Sequence, residues 1–424
     1  MANLNQFKFN ITKKKSKIAV IGLGYVGLPV AYFFSKKFNV VGFDKDKKRI
    51  QSLKKYRDQN NTFSKKELKK NKIIFSGNYY DMKNCDIFII TTPTPINEKK
   101  KPNLKFIFEA LNSIVKVGLQ NKIVILESTV FPGASEDIFI KYLEKKAKLS
   151  VNKDFFYGYS PERINPGDKT NKFNNITKIV SGSNSMVCNL LFQLYSKVVN
   201  KVCKSSSILS AETSKLIENS QRDLNVAFVN EIAIICDKLK IKSSEALNLA
   251  STKWNFLNFK PGLVGGHCIG VDPYYLFYAS KKLGYNPKTL LAGRNLNEMF
   301  SRFLVRKFLT YFKKKKLNIL IMGATYKANC NDLRNSKTFD MYSELKKKNC
   351  LVDIFDPHVK LSRYKNIKFI TKPFKRYYDG IIIPVEHNYF KKMGIKNILR
   401  LGKKNSKVFD IKGLFSEDKN VLHV

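Results

Sequence analysis

The sequence predicts an α/β protein, two doubly wound domains joined by a central helical region that contains a long helix. Three observations carry this expectation. A short apolar stretch, Lys17 to Ile21, runs directly into Gly22-Leu-Gly24-Tyr25-Val26-Gly27 and a helical pattern. A second apolar stretch, Leu317 to Gly323, also ends in glycine and opens another alternation of strands and helices. Between them, Ser210 to Leu239 places Leu224, Phe228, Ile232, Ile235 and Leu239 on one helical face. Strands that alternate with helices pair in parallel, because each crossover returns the chain to the same edge.

Size and composition are consistent with that architecture. A chain of 424 residues can fill two or three domain cores, and 43% hydrophobic residues indicate packed cores. The net charge is +45, from 78 Lys and Arg against 33 Asp and Glu. Abundant Lys, Asn, Ile, Phe and Tyr beside a single Trp suggest A/T-biased codons. Nucleic-acid binding is not expected, since the lysines are scattered and no basic stripe alternates with aromatics; anionic small substrates are the other reading of such charge. The seven cysteines, at 85, 188, 203, 236, 268, 330 and 350, include no CxxC pair. That pattern argues against a disulfide framework or a metal site and suits a reducing cytosol. Met1 to Lys17 lacks a signal-peptide core, and no apolar run is long enough to span a membrane. A soluble cytoplasmic protein is expected.

The first nucleotide site is explicit. Gly22 allows a tight turn, Gly24 lets backbone meet a pyrophosphate, and Gly27 lets helix pack on strand. The helix beginning at Leu28 supplies unpaired N–H donors to phosphate. A second strand, Asn39 to Phe43, ends in Asp44, 20 residues past Gly24. A carboxylate there binds the adenine-ribose hydroxyls and repels the extra phosphate of NADP, so NAD is the expected cofactor. Further strands are expected at Lys72–Phe75, Asp86–Thr91 and Lys122–Glu127, with a helix at Leu104–Leu119. The loops after the last two strands, Thr91-Thr92-Pro93-Thr94-Pro95 and Ser128-Thr129-Val-Phe-Pro-Gly133, belong at the carboxyl edge that lines a ligand crevice. Ordinary turn chemistry would equally explain their Pro, Thr and Gly. The polar loop Ser160 to Asp168 carries Glu162 and Arg163, of which Glu162 reads as a catalytic carboxylate or an ion-pair partner.

The most informative stretch is Phe259 to Leu276. Gly262, Gly265, Gly266 and Gly270 surround one thiol, Cys268, with His267 beside it. Asp272-Pro273 then opens a helix, Asp as N-cap and Pro at its first position. A thiol ahead of a helix N-terminus is a candidate nucleophile, and a packed apolar cysteine is the alternative. Lys215, Asn219 and Arg222 share a face of the long helix, either a solvated surface or a wall of a crevice. Pro287 to Lys313 is a second helical connector. In the C-terminal part, strands are expected at Leu351–Phe355, Gly380–Pro384 and Lys407–Asp410, and Lys327 and Arg334 follow Gly323 at the carboxyl edge.

Together, Gly22–Pro29, Thr92–Pro95, Glu127–Gly133, Ser160–Asp168, Ala211–Glu231, Gly265–Leu276 and Gly323–Ser336 resemble the UDP-glucose/GDP-mannose dehydrogenase family. The resemblance implies two Rossmann-like domains: an NAD domain over 1–205 and a UDP-binding domain over 313–424. Between them it implies a central helical dimerisation region, 206–312, that carries the catalytic loop. It implies a homodimer acting on a UDP-sugar. By position, Cys268 resembles the catalytic thiol, Lys215 and Asn219 the oxyanion-stabilising pair, Asp272 the residue that activates water, and Glu162 and Thr129 active-site residues. Glu162, Arg163, Lys215, Asn219, Gly265 and Lys327 resemble substrate ligands. Gly22, Gly24, Tyr25, Val26, Gly27, Asp44, Arg49, Thr92, Pro93, Thr94 and Arg334 resemble cofactor contacts. The run Ile269-Gly270-Val271-Asp272 departs from the Phe-Pro-Lys-Asp of UDP-glucose members and resembles the UDP-N-acetylhexosamine branch, which makes uronic acids for capsule and O-antigen. The implied reaction is oxidation of a sugar C6 hydroxyl to the acid through a Cys268 thiohemiacetal and thioester. UDP-glucose oxidation, a two-electron hydroxy-acid dehydrogenase and a basic binding protein on the same fold are the competing readings.

Overall fold

The computed structural model describes residues 4–164, 173–314, 316–415, 418 and 421–424. Residues 165–168 of the Ser160–Asp168 loop lie outside the described residues. The chain folds as two compact units, one comprising Met1–Glu218 and Tyr274–Tyr285, the other Asn219–Pro273 and Asn286–Val424. The central stretch 206–312 contributes to both.

The N-terminal unit is built on a sheet of eight described strands: β1 (Lys17–Ile21), β2 (Asn39–Phe43), β3 (Ile73–Ser76), β4 (Ile87–Ile90), β5 (Ile123–Leu126), β6 (Phe156–Tyr159), β7 (Lys178–Gly182) and β8 (Val202–Lys204). Their order is β3-β2-β1-β4-β5-β6-β7-β8, parallel except where β6 meets β7. Strands β4 and β5 are buried at every residue, as parallel strands covered by helices on both faces must be. Each of those Ile, Val and Leu side chains contributes about 1.5–3 kcal/mol by leaving water. Reversal of strand order between β1 and β4 opens a crevice at their carboxyl ends, where the loops beginning at Gly22 and Thr91 start.

Strands β7 and β8 and the helices Leu4–Thr12 and Ser185–Tyr195 are absent from the sequence expectation. In β7 a lysine stands in the interior: Lys178 Nζ is buried 2.7 Å from the Glu127 carboxylate, so the strand lacks a clean apolar signature. The amino-terminal helix packs Phe7 edge-on against Phe156, 6.1 Å between ring centres.

The C-terminal unit carries a smaller parallel sheet, β9 (Asn318–Met322), β10 (Leu351–Phe355), β13 (Tyr378–Ile383), β14 (Gly402–Asp410) and β15 (Val421–His423), ordered β10-β9-β13-β14-β15. A two-stranded ribbon, β11 (Arg363–Tyr364) and β12 (Ile367–Lys368), lies outside that sheet. Its order reverses between β9 and β13.

The long helix runs Ile208–Leu239. Its apolar stripe is only partly buried, with Leu224 and Ile232 half-buried. Phe228, Ile235 and Leu239 are exposed, whereas Asp223, Ala227 and Asn230 are buried. A polar network explains the reversal. Within the second unit, Asp223 pairs with Arg294, Asn297 donates to the Asp223 carboxylate at 2.8 Å, and Asn230 donates to Asn297 at 2.8 Å. Such hydrogen bonds offset the burial of these groups, although Arg294 Nε has no hydrogen-bond partner among the described residues.

Candidate active site

In the N-terminal unit the glycine turn has the predicted form. A Cβ at Gly27 would lie 1.7 Å from the Gly22 carbonyl oxygen, so only glycine permits this closeness of helix and strand. Gly24 is exposed, and a Cβ there would meet nothing within 4 Å, leaving open space over the turn. Helix Gly27–Ser35 has no acidic residue in its first turn and no side-chain cap at Val26. Tyr25 and Val26 are half-buried within the turn. The Asp44 carboxylate accepts the Leu23 N–H at 2.7 Å and the Asp46 N–H at 2.9 Å, tying the turn to the end of β2. Arg49 is buried, donates from Nε to the Leu23 carbonyl at 2.9 Å and pairs with Asp58 at 2.8 Å. Thr92 is half-buried with its hydroxyl enclosed and unpartnered, Pro93 is exposed, and the Thr94 carbonyl accepts the Tyr275 hydroxyl at 2.9 Å.

Thr129 is half-buried in the loop after β5. Buried Glu212, on the long helix, closes the far end of this loop by accepting the Gly133 N–H at 2.7 Å and the Ser135 N–H at 3.0 Å. Burial pushes the Glu212 carboxyl up to about 7, against the pull of those donors. Glu162 lies beyond β6 and accepts the Ile164 N–H. Burial raises its carboxyl above the ordinary range, and the charges of Lys215 and Lys178 oppose that rise. Lys215 is itself buried. Arg163 pairs with Glu218 at 2.8 Å and donates to the Thr177 carbonyl at 2.8 Å.

In the second unit, the stretch from Gly262 to Asp272 forms a close-packed turn. Gly266 adopts φ +84°, and a Cβ there would lie 2.6 Å from the Tyr326 ring. A Cβ at Gly265 would meet the Asn335 carbonyl at 2.7 Å. Cys268 is half-buried rather than sealed, with Sγ 3.2 Å from His267 Nδ1. Its carbonyl accepts the Val271 N–H at 2.9 Å and the Asp272 N–H at 2.8 Å, so thiol and carboxylate stand one turn apart. The helix begins at Asp272 itself, one residue earlier than the capping pattern suggests. The buried Asp272 carboxylate accepts the Asn219 amide at 2.6 Å. Of the polar trio on the long helix, Lys215 and Asn219 are buried and Arg222 is exposed.

A cleft of about 190 Å³ lies at the reversal of strand order in the second sheet, lined by Gly265, Tyr326, Lys327, Lys337, Glu386 and Lys412 among others. Two of its walls are the loops that follow β9 and β13. Burial holds the Lys412 ammonium below its ordinary range, with Glu386 opposing. Arg334 is half-exposed and grips the Asp332 carboxylate in a fork of 2.6–3.1 Å contacts.

Residues 16–199 match the NAD binding domain of the UDP-glucose/GDP-mannose dehydrogenase family, 209–299 its central domain and 320–417 its UDP binding domain. The UDP-N-acetyl-D-glucosamine 6-dehydrogenase of Pseudomonas aeruginosa is 46% identical over 421 residues, covering 97% of this chain and 100% of that protein. The chain belongs to this family. The protein of the same description from Salmonella typhi is 44% identical, over 93% of this chain and 96% of that one. Among solved structures, a UDP-D-ManNAc dehydrogenase from Pyrococcus horikoshii superposes with a TM-score of 0.85 at 27% identity, covering 96% of this chain and 98% of that one.

As a member of the UDP-glucose/GDP-mannose dehydrogenase family, the chain is an NAD-dependent oxidoreductase, and the N-terminal unit fits the cofactor. Gly24 leaves an open approach, the helix N-terminus lacks a cap, and the enclosed Thr92 hydroxyl awaits a partner. Lys412, Glu386, Glu212 and the juxtaposition of His267 with Asp332 escaped the sequence reading. Lys412 could have been found from its place just beyond the final aspartate of β14. Glu386 likewise follows the expected strand Gly380–Pro384, whereas Glu212 and the His267–Asp332 pair depend on contacts between residues far apart in the chain. Among the described residues no helix is long and apolar enough to cross a membrane.

Proposed function

We propose that this protein oxidises the C6 hydroxyl of a UDP-N-acetylhexosamine to the uronic acid, by four electrons, for surface polysaccharide synthesis. The observation that carries the reading is the turn that holds a half-buried thiol, Cys268, one turn from the buried carboxylate of Asp272. Gly22, Gly24, Tyr25, Val26, Gly27, Asp44, Thr92, Pro93 and Thr94 would hold NAD, with Arg49 and Arg334 as further contacts, and NAD bound there would supply the hydride acceptor for each oxidation. An aldehyde has no hydride to give from an alkoxide-like carbon. Addition of Cys268 Sγ makes one, as a thiohemiacetal, and its oxidation leaves a thioester. Lys215 and Asn219 stabilise the oxyanions, about 3–4 kcal/mol for each well-placed donor. Asp272 takes the proton of the attacking water, and the thiol departs as the acid forms. Glu162, whose carboxyl burial raises above its ordinary range against the charges of Lys215 and Lys178, is the candidate acid–base carboxyl, and Thr129 is a further candidate active-site residue.

Lys327 and Lys412 give the cleft of the second unit two ammonium groups for a diphosphate, with Gly265 in its wall; Glu162 and Arg163 of the first unit are further candidate substrate contacts by family resemblance. A Cβ at Gly270 would make only ordinary contacts of 3.8–3.9 Å, so packing does not demand glycine; room for an acetamido group does account for it. The family relatives named for N-acetylated sugars support the same substrate class. The protein works as a cytoplasmic homodimer. Phe228, Ile235 and Leu239, spaced at i, i+7 and i+11 on the long helix, form an exposed apolar stripe suited to a second copy, and Trp254 is 92% exposed nearby in sequence.

The test is NADH formation against UDP-N-acetylglucosamine, UDP-N-acetylgalactosamine and UDP-glucose, with NADH counted per sugar. Two NADH per N-acetylated sugar, and abolition of acid formation by Cys268→Ser, are expected. Faster turnover of UDP-glucose, or one NADH per sugar, overturns the reading. Light scattering in solution should give twice the chain mass.

A further inference from the structure

We propose that His267 takes the proton of Cys268, with Asp332 holding its imidazole in the accepting tautomer, so that the nucleophile is a Cys–His–Asp relay. The inference rests on the thiol's role in the four-electron reading and adds the groups that make it a thiolate. Sγ lies 3.2 Å from His267 Nδ1, within reach of proton transfer. Nδ1 accepts only if the ring proton sits on Nε2, and Nε2 faces the Asp332 carboxylate at 3.7 Å. That distance belongs to electrostatic orientation rather than a hydrogen bond, which makes Asp332 a positioning residue. Asp332 is buried and cannot swing away, because Arg334 holds both its oxygens. The Tyr326 ring stands edge-on to the imidazole at 5.7 Å and closes its other side.

Among the described residues, the charged and titratable groups that face the imidazole include Cys268, Asp332, Arg334 and Tyr326, and Cys330 acts in turn on Tyr326. Burial lowers the imidazole's proton affinity, Arg334 lowers it further and Asp332 opposes both. With the ring proton on Nε2, the Nδ1 lone pair is the acceptor that meets the thiol. One proton leaves Sγ for Nδ1, giving thiolate and imidazolium; no electron is transferred and no other bond changes. The thiolate then forms the C–S bond to the aldehyde, and the proton returns when the thioester is hydrolysed. A helix N-terminus at an exposed site moves a charge equilibrium by less than about one pH unit, whereas pairing with a histidine can lower a thiol to about 3–4. The imidazole is thus the larger effect.

The experiment is pulsed alkylation of the full-length protein with iodoacetamide across pH 5 to 10, reading the Cys268 peptide by mass spectrometry. The exposed thiol of Cys203 serves as the internal reference. In the wild type, Cys268 should react half-maximally well below the ordinary thiol value of about 8.5. His267→Gln should return the midpoint to that value and slow labelling at pH 6.5 at least about tenfold, with Asp332→Asn intermediate. An ordinary wild-type midpoint, which requires no variant to fold, overturns the proposal, as does an unchanged profile in His267→Gln. NADH counted on the same wild-type preparation separates the two readings. A low midpoint with one NADH per sugar keeps the relay and removes the four-electron reaction. An ordinary midpoint with two NADH does the reverse.

Discussion

The two sheets solve the same opening problem and then diverge. In each, a glycine follows the first central strand and donates to the carbonyl that ends the neighbouring strand: Gly22 to Phe43 and Gly323 to Phe355, both at 2.8 Å. In each, an aspartate just beyond that neighbour grips the next backbone N–H, Asp44 on Leu23 and Asp356 on Ala324, both at 2.7 Å. The N-terminal turn then passes through Gly24 and Gly27 straight into a helix, and Asp44 stays half-exposed. The C-terminal turn has no further glycine before helix Thr338–Lys347, and Asp356 is buried against His387 at 3.0 Å. The first acid retains an outward face for a ribose. The second is consumed internally, holding a loop that projects Lys327. One scaffold thus yields a glycine-lined cofactor seat in one unit and a lysine-lined cleft in the other.

Four measurements would break or sharpen this contrast. The largest effect should come from Gly27→Val, whose Cβ must displace the Gly22 carbonyl: a loss of about 3 kcal/mol or more, seen as insoluble protein or a collapsed thermal melt. Asp356→Asn should follow, at about 3 kcal/mol, because it unbalances a buried pair. Although burial raises the Asp356 carboxyl, His387 and the backbone donors hold it below its ordinary range. Its stabilisation is therefore present at neutral pH and lost as pH falls through the acid range, and the variant should show a weaker acid transition by circular dichroism. Glu212 has the opposite sign. Its folded value of about 7 exceeds the unfolded one, so its contribution is full below about pH 4.5 and lost as pH rises to 7. Glu212→Gln should gain on the parent by about 2 kcal/mol between pH 5 and 8 in paired melts. The smallest change should be Asp44→Asn, with NAD affinity down about tenfold by calorimetry and the melt nearly unmoved. Equal damage to stability from Asp44→Asn and Asp356→Asn would erase the distinction.

Much of this was legible because local chemistry repeats the global design. The glycine turn, Asp44, the apolar runs of β4 and β5, and the thiol amid Gly262–Gly270 each announce themselves within a few residues. What stayed hidden depends on distance or on inversion. Strand β7 carries Lys178, whose partner Glu127 lies 51 residues away, so periodicity fails there. His267 and Asp332 are separated by two helices and a strand, and nothing local to either names the other. The long helix misled more actively. Phe228, Ile235 and Leu239 of its apolar stripe face outward, while Asp223 and Asn230 are buried beside Ala227, Val229 and Ala233, because the core at that level includes a hydrogen-bonded network with Arg294 and Asn297.

Trp254, the chain's single tryptophan, is 92% exposed on the segment that leads into the thiol turn. The molecule thereby carries its own optical gauge. Ultraviolet emission excited at the indole band reports on one place only, so any blue shift or quenching on adding sugar nucleotide, or on raising protein concentration, tells what happens at that segment without a dye or a tag.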